Sequence, residues 1–188
     1  MLAKVQALAR QSAGGDKEFV KRFEARVGSL ARNQDILIAR DWSDVPVEEL
    51  VRQQLVFADD CPGRFLIAGE DCSLSPRASE VIGMALHELA TNSMKYGALS
   101  VEAGSVAIAW HCPSDGHFDI SWRESGGPPV AEPPHTGFGT SIIRDVPRAA
   151  LGAEVELSYR PDGMHWRLSG SKLVADPLGL DALGGSCG

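Results

Sequence analysis

Residues Met84–Ser100 read MALHELATNSMKYGALS. Val81, Ile82, Ala85, Leu86, Leu89 and Ala90 recur at helical spacing and mark a core face. Glu88 and Asn92 lie one helical turn apart and share a second face, which Lys95 or Tyr96 continues. That face is not needed for the core. A carboxylate and an amide oxygen are hard ligands, suited to Mg2+ held mainly by phosphates and water. Lys95 adds a mobile cation for phosphate. A solvated polar face, with His87 hydrogen-bonded to backbone, accounts for the same residues, and both readings stay open at this point.

After Gly97 the period changes to two. Val106–Trp110 and His117–Trp122 are expected strands, and Glu154–Tyr159 and Met164–Leu168 a hairpin about Pro161-Asp162-Gly163. A helix is expected from about Thr140 to Ala150. Upstream, Ser75-Pro76 opens the quoted helix, and Pro46 begins another that runs to about Phe57. Arg64–Ile67 and Cys72–Leu74 read as a small hairpin around Gly69-Glu70-Asp71. Met1–Ser12 and a helix from Asp16 through Leu37, joined at Gly14-Gly15, form an αα-hairpin with a short first arm. Helices and antiparallel strands are therefore segregated, an α+β layering with one sheet covered on one face by helices.

The chain has 188 residues, 44% of them apolar, and a formal net charge of −7. That suits one domain with an appendage and argues against a nucleic-acid surface. No apolar run is long enough for a membrane span, and the N-terminus is too polar for a signal peptide. Cys61, Cys72, Cys112 and Cys187 form no Cys-x-x-Cys and are expected as free thiols in a reducing cytosol.

Two further segments carry candidate chemistry. Trp122-Arg123-Glu124-Ser125-Gly126-Gly127 follows a strand directly. Its glycines let backbone approach a flat ligand, and Glu124 is able to accept a hydrogen bond from an exocyclic amine such as that of adenine. A plain Gly-Pro turn explains it equally well. Gly137-Phe138-Gly139-Thr140-Ser141 precedes a helix and exposes backbone N–H groups, an anion site without the P-loop pattern. A simple capped turn is the competing account. His111, His117, His135 and His165 do not make a metal-ligand spacing, although Cys112 beside His111 leaves a zinc site conceivable, and no nucleophile elbow supports Ser-His-Asp hydrolysis.

These three segments, in this order, resemble the ATP-binding catalytic domain of histidine kinases, and more narrowly the HWE subfamily. His87, Glu88 and Asn92 match its N box, Trp122-Arg123-Glu124 its Trp-x-Glu signature, Gly126 and Gly127 the glycines that follow, and Gly137-Phe138-Gly139 its G2 box. The resemblance extends over residues 2 to about 168. It implies a Bergerat-type (GHKL) ATPase α/β sandwich, a mixed sheet covered on one face by helices and preceded by a helical hairpin. The implied domains are a partial dimerisation and histidine-phosphotransfer hairpin at 1–41, an ATP-binding catalytic domain at 42–172, and a flexible tail at 173–188. Asp41-Trp42-Ser43 is the expected hinge.

The resemblance further implies a bacterial, cytoplasmic two-component phosphorelay enzyme using ATP and Mg2+. Its γ-phosphoryl group passes to a histidine and then to a response-regulator aspartate. Asn92 and Glu88 are the expected metal residues, with Asn92, Glu88 and His87 as the catalytic group. Lys95 and Tyr96 fall at phosphate or ribose contacts, Glu124 and Gly126 at adenine, and Gly137, Phe138, Gly139 and Thr140 at the ATP lid. No role for His87 follows from charge alone. The alternatives are a nucleotide- or regulator-binding module without transfer, and a serine kinase of the same superfamily.

One departure stands out. In the family the phosphoacceptor His lies just before the segment that LAKVQAL matches, and here no histidine precedes His87. The chain is thus expected to bind ATP and to lack the usual acceptor, through a shortened sequence, a start placed too late or a natural loss. A homodimer through the hairpin is expected, weakened by its short arm.

Overall fold

A computed structural model describes residues 44–56, 63–113, 116–130 and 137–174. The expected αα-hairpin, the hinge, Cys61, His135, Cys187 and the tail from residue 175 on lie outside these residues, while Leu173 and Val174, placed in the tail by the sequence, are held: Leu173 is buried and Val174 bridges Leu74.

Two short strands come first in the ribbon that opens the domain. β1 (Val45–Pro46) pairs antiparallel with β3 (Ser73–Leu74), and Val47 N donates to Cys72 O at 3.0 Å. The main sheet has five strands in the order β2-β4-β5-β7-β6: β2 (Phe65–Gly69), β4 (Ser105–His111), β5 (His117–Ser125), β7 (Gly163–Ser171) and β6 (Glu154–Arg160). β2 runs parallel to β4, and the other pairs are antiparallel.

The expected hairpin between 64–67 and 72–74 does not form. β2 takes β4 as its partner, with Phe65 opposite Val106, and β3 turns to β1. Gly69 ends β2 and the chain bends at Asp71, but a two-residue β3 offers too few ladder bonds to compete with five register pairs on β4.

Helix α1 (Val47–Leu55) and helix α2 (Pro76–Tyr96) pack together over one face of this sheet. Ser75 caps α2 through its side chain, which accepts from Ala78 N, and Pro76 occupies the first turn, where a missing N–H costs nothing. Val81, Ile82, Ala85, Leu86, Leu89 and Ala90 are all buried, as their spacing requires. They meet Val106, Ile108, Phe118, Ile120, Trp122, Trp166 and Leu168 from the sheet in one core. Each such large side chain contributes about 1.5–3 kcal/mol of burial.

The third helical run consists of α3 (Phe138–Thr140), a π turn (Ser141–Asp145) and α4 (Val146–Leu151). Pro147 explains the interruption. It has no N–H for the carbonyl four residues back, that of Ile143. Trp166 Nε1 donates to that oxygen instead, at 2.6 Å, while Val146 N–H reaches Ser141 O in the wider π pattern.

The structure corrects the reading of two cysteines as free thiols. Cys72 and Cys112 form a disulfide, with Cα atoms 6.7 Å apart. Cys72 immediately precedes β3, and Cys112 follows β4. The parallel β2–β4 pairing brings these ends together across 40 residues of sequence. Among the described residues, no helix is long and apolar enough to cross a membrane.

Candidate functional site

The polar groups of α2 divide by depth. His87 and Glu88 are buried, Asn92 is half-buried, and Lys95 and Tyr96 are exposed. His87 and Glu88 both keep interactions inside the fold. The face therefore runs from the interior at Glu88 to open solvent at Tyr96.

At the inner end α2 meets the Gly-Phe-Gly segment. A Cβ on Gly139 would lie 2.4 Å from Glu88 Oε1, so glycine lets this backbone rest on the carboxylate without displacing it. Thr140 follows half-buried, and Gly137 is exposed with open space around it.

At the outer end α2 meets the segment after β5. Phe118, Ile120 and Trp122 alternate inward along that strand, and Glu124 takes the next inward position at 2% exposure. It is the one charge in that row, and an unpaired buried carboxylate costs several kcal/mol. Two donors meet it: Ala98 N at 2.8 Å on Oε2 and Trp122 Nε1 at 3.2 Å on Oε1. The spacing of Trp-x-Glu now has a physical reason, since residues two apart on a strand share a face.

Gly97 ends α2, its N–H shared between Asn92 O and Ser93 O. Its φ of −103° is open to any residue, so conformation does not demand glycine here. Contact does, because a Cβ would lie 2.1 Å from Glu124 Oε2. The two glycines after Glu124 approach protein backbone closely. Gly126, at φ +70°, sits against Ala103 O, and Gly127 against Ala98 Cα.

Sequence reasoning missed three participants. The Trp-x-Glu signature names Trp122 without its bond to Glu124. Ser93 Oγ accepts Leu99 N at 3.3 Å and helps turn the chain out of α2. Arg64, which precedes β2, donates to Gly104 O at 2.7 Å, Ala98 O at 3.1 Å, Leu99 O at 3.4 Å and Val101 O. Its acceptors are backbone carbonyls, which leave no mark in a sequence. Trp122 and Ser93 did carry a signal, at inward positions of β5 and α2.

One carboxylate and one amide oxygen a turn apart fit Mg2+, an ion that keeps most of its ligands as water and phosphate. Among the described residues, no cluster of three or more His, Cys, Asp or Glu side chains forms an all-protein metal cage.

The sequence pattern of the family described as HWE histidine kinase matches residues 1–71. A blue-light-activated histidine kinase of Brucella anthropi is 31% identical over 170 residues, 87% of this chain. The chain belongs to the HWE histidine kinases. Its counterpart in Brucella ovis is 31% identical over the same share. The chain spans 35% of the length of these two relatives.

The histidine kinase domain of the Erythrobacter litoralis EL346 blue-light-activated enzyme superposes with a TM-score of 0.65. It covers 92% of this chain and 82% of that one at 15% identity. The mycobacterial sensor histidine kinase MprB gives 0.53, over 71% of this chain and 99% of that one at 14% identity. These likenesses establish the fold, a Bergerat-type α+β ATPase layer structure shared with histidine-kinase catalytic domains. Histidine kinase ThkA, solved in complex with the response regulator TrrA, shares the fold at a TM-score of 0.50 and 16% identity, covering 91% of this chain and 56% of that one.

Proposed function

We propose that residues 42–172 bind Mg2+-ATP and supply the γ-phosphoryl group for transfer to a histidine, and from there to a response-regulator aspartate. The observation that carries this reading is the α2 face. Its inner carboxylate, Glu88, rests on Gly139, and its outer end is tied to the Trp-x-Glu-Ser-Gly-Gly segment through Gly97 and Ala98. Two glycine segments and one polar helix face thus border a single region.

In this reading Asn92 and Glu88 hold the ion, which would neutralise phosphate charge. Lys95 and Tyr96, being exposed, meet the phosphates or ribose from solvent. Glu124 and Gly126 lie toward adenine. Glu124 holds two protein donors already, so an adenine amine would use a remaining lone pair of its carboxylate. Gly137, Phe138, Gly139 and Thr140 form the lid side. His87 acts by packing and orienting α2. Transfer breaks the bond from the γ-phosphorus to the ADP oxygen and forms a P–N bond to imidazole. Positioning and charge neutralisation supply most of the catalysis.

The first histidine of the sequence is His87, on α2, so the acceptor in this reading is a histidine delivered to the site and is assigned to no residue of this chain. The response regulator and a homodimer through residues 1–41 are the partners. Titration calorimetry with Mg2+-ATP tests the binding step. The unaltered chain is expected to bind, and Asn92→Ala to abolish Mg2+-dependent binding with the fold intact. Unchanged affinity of Asn92→Ala sinks the assignment. Radiolabelled ATP added to the chain alone and to a form extended through a family-type acceptor helix tests transfer. Acid-labile, base-stable label on the extended form alone is expected, and no label on either defeats the kinase reading in favour of a binding module.

A further inference from the structure

The turn that leads out of α2, residues 97–104, is held from two sides by opposite charges. Glu124 takes the N–H of Ala98 on one side at 2.8 Å. On the other, one guanidinium collects the carbonyls of Ala98, Leu99, Val101 and Gly104. Ala98 is therefore gripped at both of its peptide groups. The same turn is what Gly126 and Gly127 pack against, at Ala103 O and Ala98 Cα. Gly104 closes the ring, since a Cβ there would lie 1.9 Å from Ala98 O.

Four converging carbonyls next to a helix C-terminus form a region of negative partial charge, and a cation there is favoured. A guanidinium suits it better than an ammonium, because five N–H donors in a planar fork reach several acceptors at once. Arg64 is anchored for this task. Its own carbonyl accepts Val106 N at 2.9 Å, so its backbone is part of the β2–β4 pairing.

We propose that Arg64 is a positioning residue for the nucleotide. Its acceptors in this turn are backbone carbonyls and not the α2 side chains assigned to ligand. It fixes turn 97–104 against Gly126-Gly127 and so sets the shape of the adenine end of the pocket. This rests on the ATP reading above. The phosphate end, built by Glu88, Asn92 and Gly139, is outside its reach, so its loss separates the two ends. Ligands with a base lose affinity, and those without one do not.

The experiment compares the unaltered chain with Arg64→Lys and Arg64→Ala, titrating Mg2+-ATP and Mg2+-tripolyphosphate and recording thermal unfolding of each. Both variants are expected to bind ATP more weakly, on the order of tenfold, the scale of a modest misplacement of contacts. Tripolyphosphate affinity stays within about twofold. Added guanidinium ion at low millimolar concentration restores part of the ATP affinity of Arg64→Ala and none of that of the unaltered chain. Equal loss for both ligands, or wild-type ATP affinity in a folded Arg64→Lys, overturns the positioning role while leaving ATP binding standing. If Arg64→Ala does not fold, Arg64→Lys with the two ligands decides alone. Failure of the unaltered chain to bind ATP overturns the reading of the site and this inference together.

Discussion

The indole N–H of Trp122 donates to the carboxylate of Glu124, two residues along the same strand, at 3.2 Å. The two named letters of the family signature are thus one hydrogen-bonded unit, and both are buried at the sheet's core face. Trp122→Phe deletes the donor and leaves a small void where the indole was. The carboxylate then loses one of its two named partners in a buried place. A destabilisation of about 1–3 kcal/mol is expected, as for other buried polar groups stripped of a partner. Urea unfolding measures it. A variant as stable as the parent shows that the bond contributes nothing.

Gly97 and Gly137 make a matched pair for testing steric need. A Cβ at Gly97 meets Glu124 Oε2 at 2.1 Å and Glu124 Cδ at 2.9 Å, whereas one at Gly137 meets nothing within 4 Å. Gly97→Ala must push aside a carboxylate that is itself hydrogen-bonded, so it is expected to cost about 1–3 kcal/mol, the range for overpacking. Gly137→Ala is expected to fall within about 0.5 kcal/mol of the parent. Denaturant midpoints of the two variants check both. Equal midpoints contradict the close approach of Gly97 to Glu124.

Most of the layering was legible from period alone. The helix α2 announces itself by Ser75-Pro76 and six apolar residues at helical spacing, and the four long strands in antiparallel pairs by alternation. The burial of Glu124 was also within reach, because carrying the alternation of β5 two residues past Trp122 puts it inward. Three features were not legible, each for the same reason. The partner of β2, the disulfide and the acceptors of Arg64 are all fixed by contacts about 40 residues apart in sequence. Local pattern carries no information about them. For β3 the local signal pointed the wrong way, since a good turn sat beside a strand too short to use it.

The Cys72–Cys112 bond joins the ribbon that opens the domain to the end of a central strand. It closes a loop across 40 residues. In the chain-entropy account, a loop of that length stabilises by about 4 kcal/mol. Reduction is therefore expected to lower the guanidinium midpoint, with Cys72→Ser as the control that no longer responds to reductant. Alkylation without reductant, read by mass, tests the bond itself. Free reactivity of both Cys72 and Cys112 in the folded, air-exposed protein contradicts it. Glu70 braces the same corner, accepting Cys112 N at 2.8 Å and lying 2.8 Å from His111 Nδ1, so the connection persists in part after reduction.

His165 supplies a pH dependence. It lies on the sheet face away from the helices, opposite Arg123 on β5 and Ser158 on β6. Its Nε2 is buried without a hydrogen-bond partner. Burial first, then the positive charges of Arg160 and Arg123, hold its pKa below the ordinary 6.5, against a smaller upward pull from Asp162. The folded state therefore disfavours the protonated ring. Between the lowered value and 6.5 the unfolded chain binds more protons, so stability rises with pH through that window. The contribution is fully present above the unfolded value and is lost as pH falls through the folded one. Thermal midpoints taken from about pH 7.5 down to about pH 5.5 span the ordinary histidine range. They should fall more steeply for the parent than for His165→Gln, which has no proton to gain. Parallel slopes for the two proteins would show that His165 is not the group responsible.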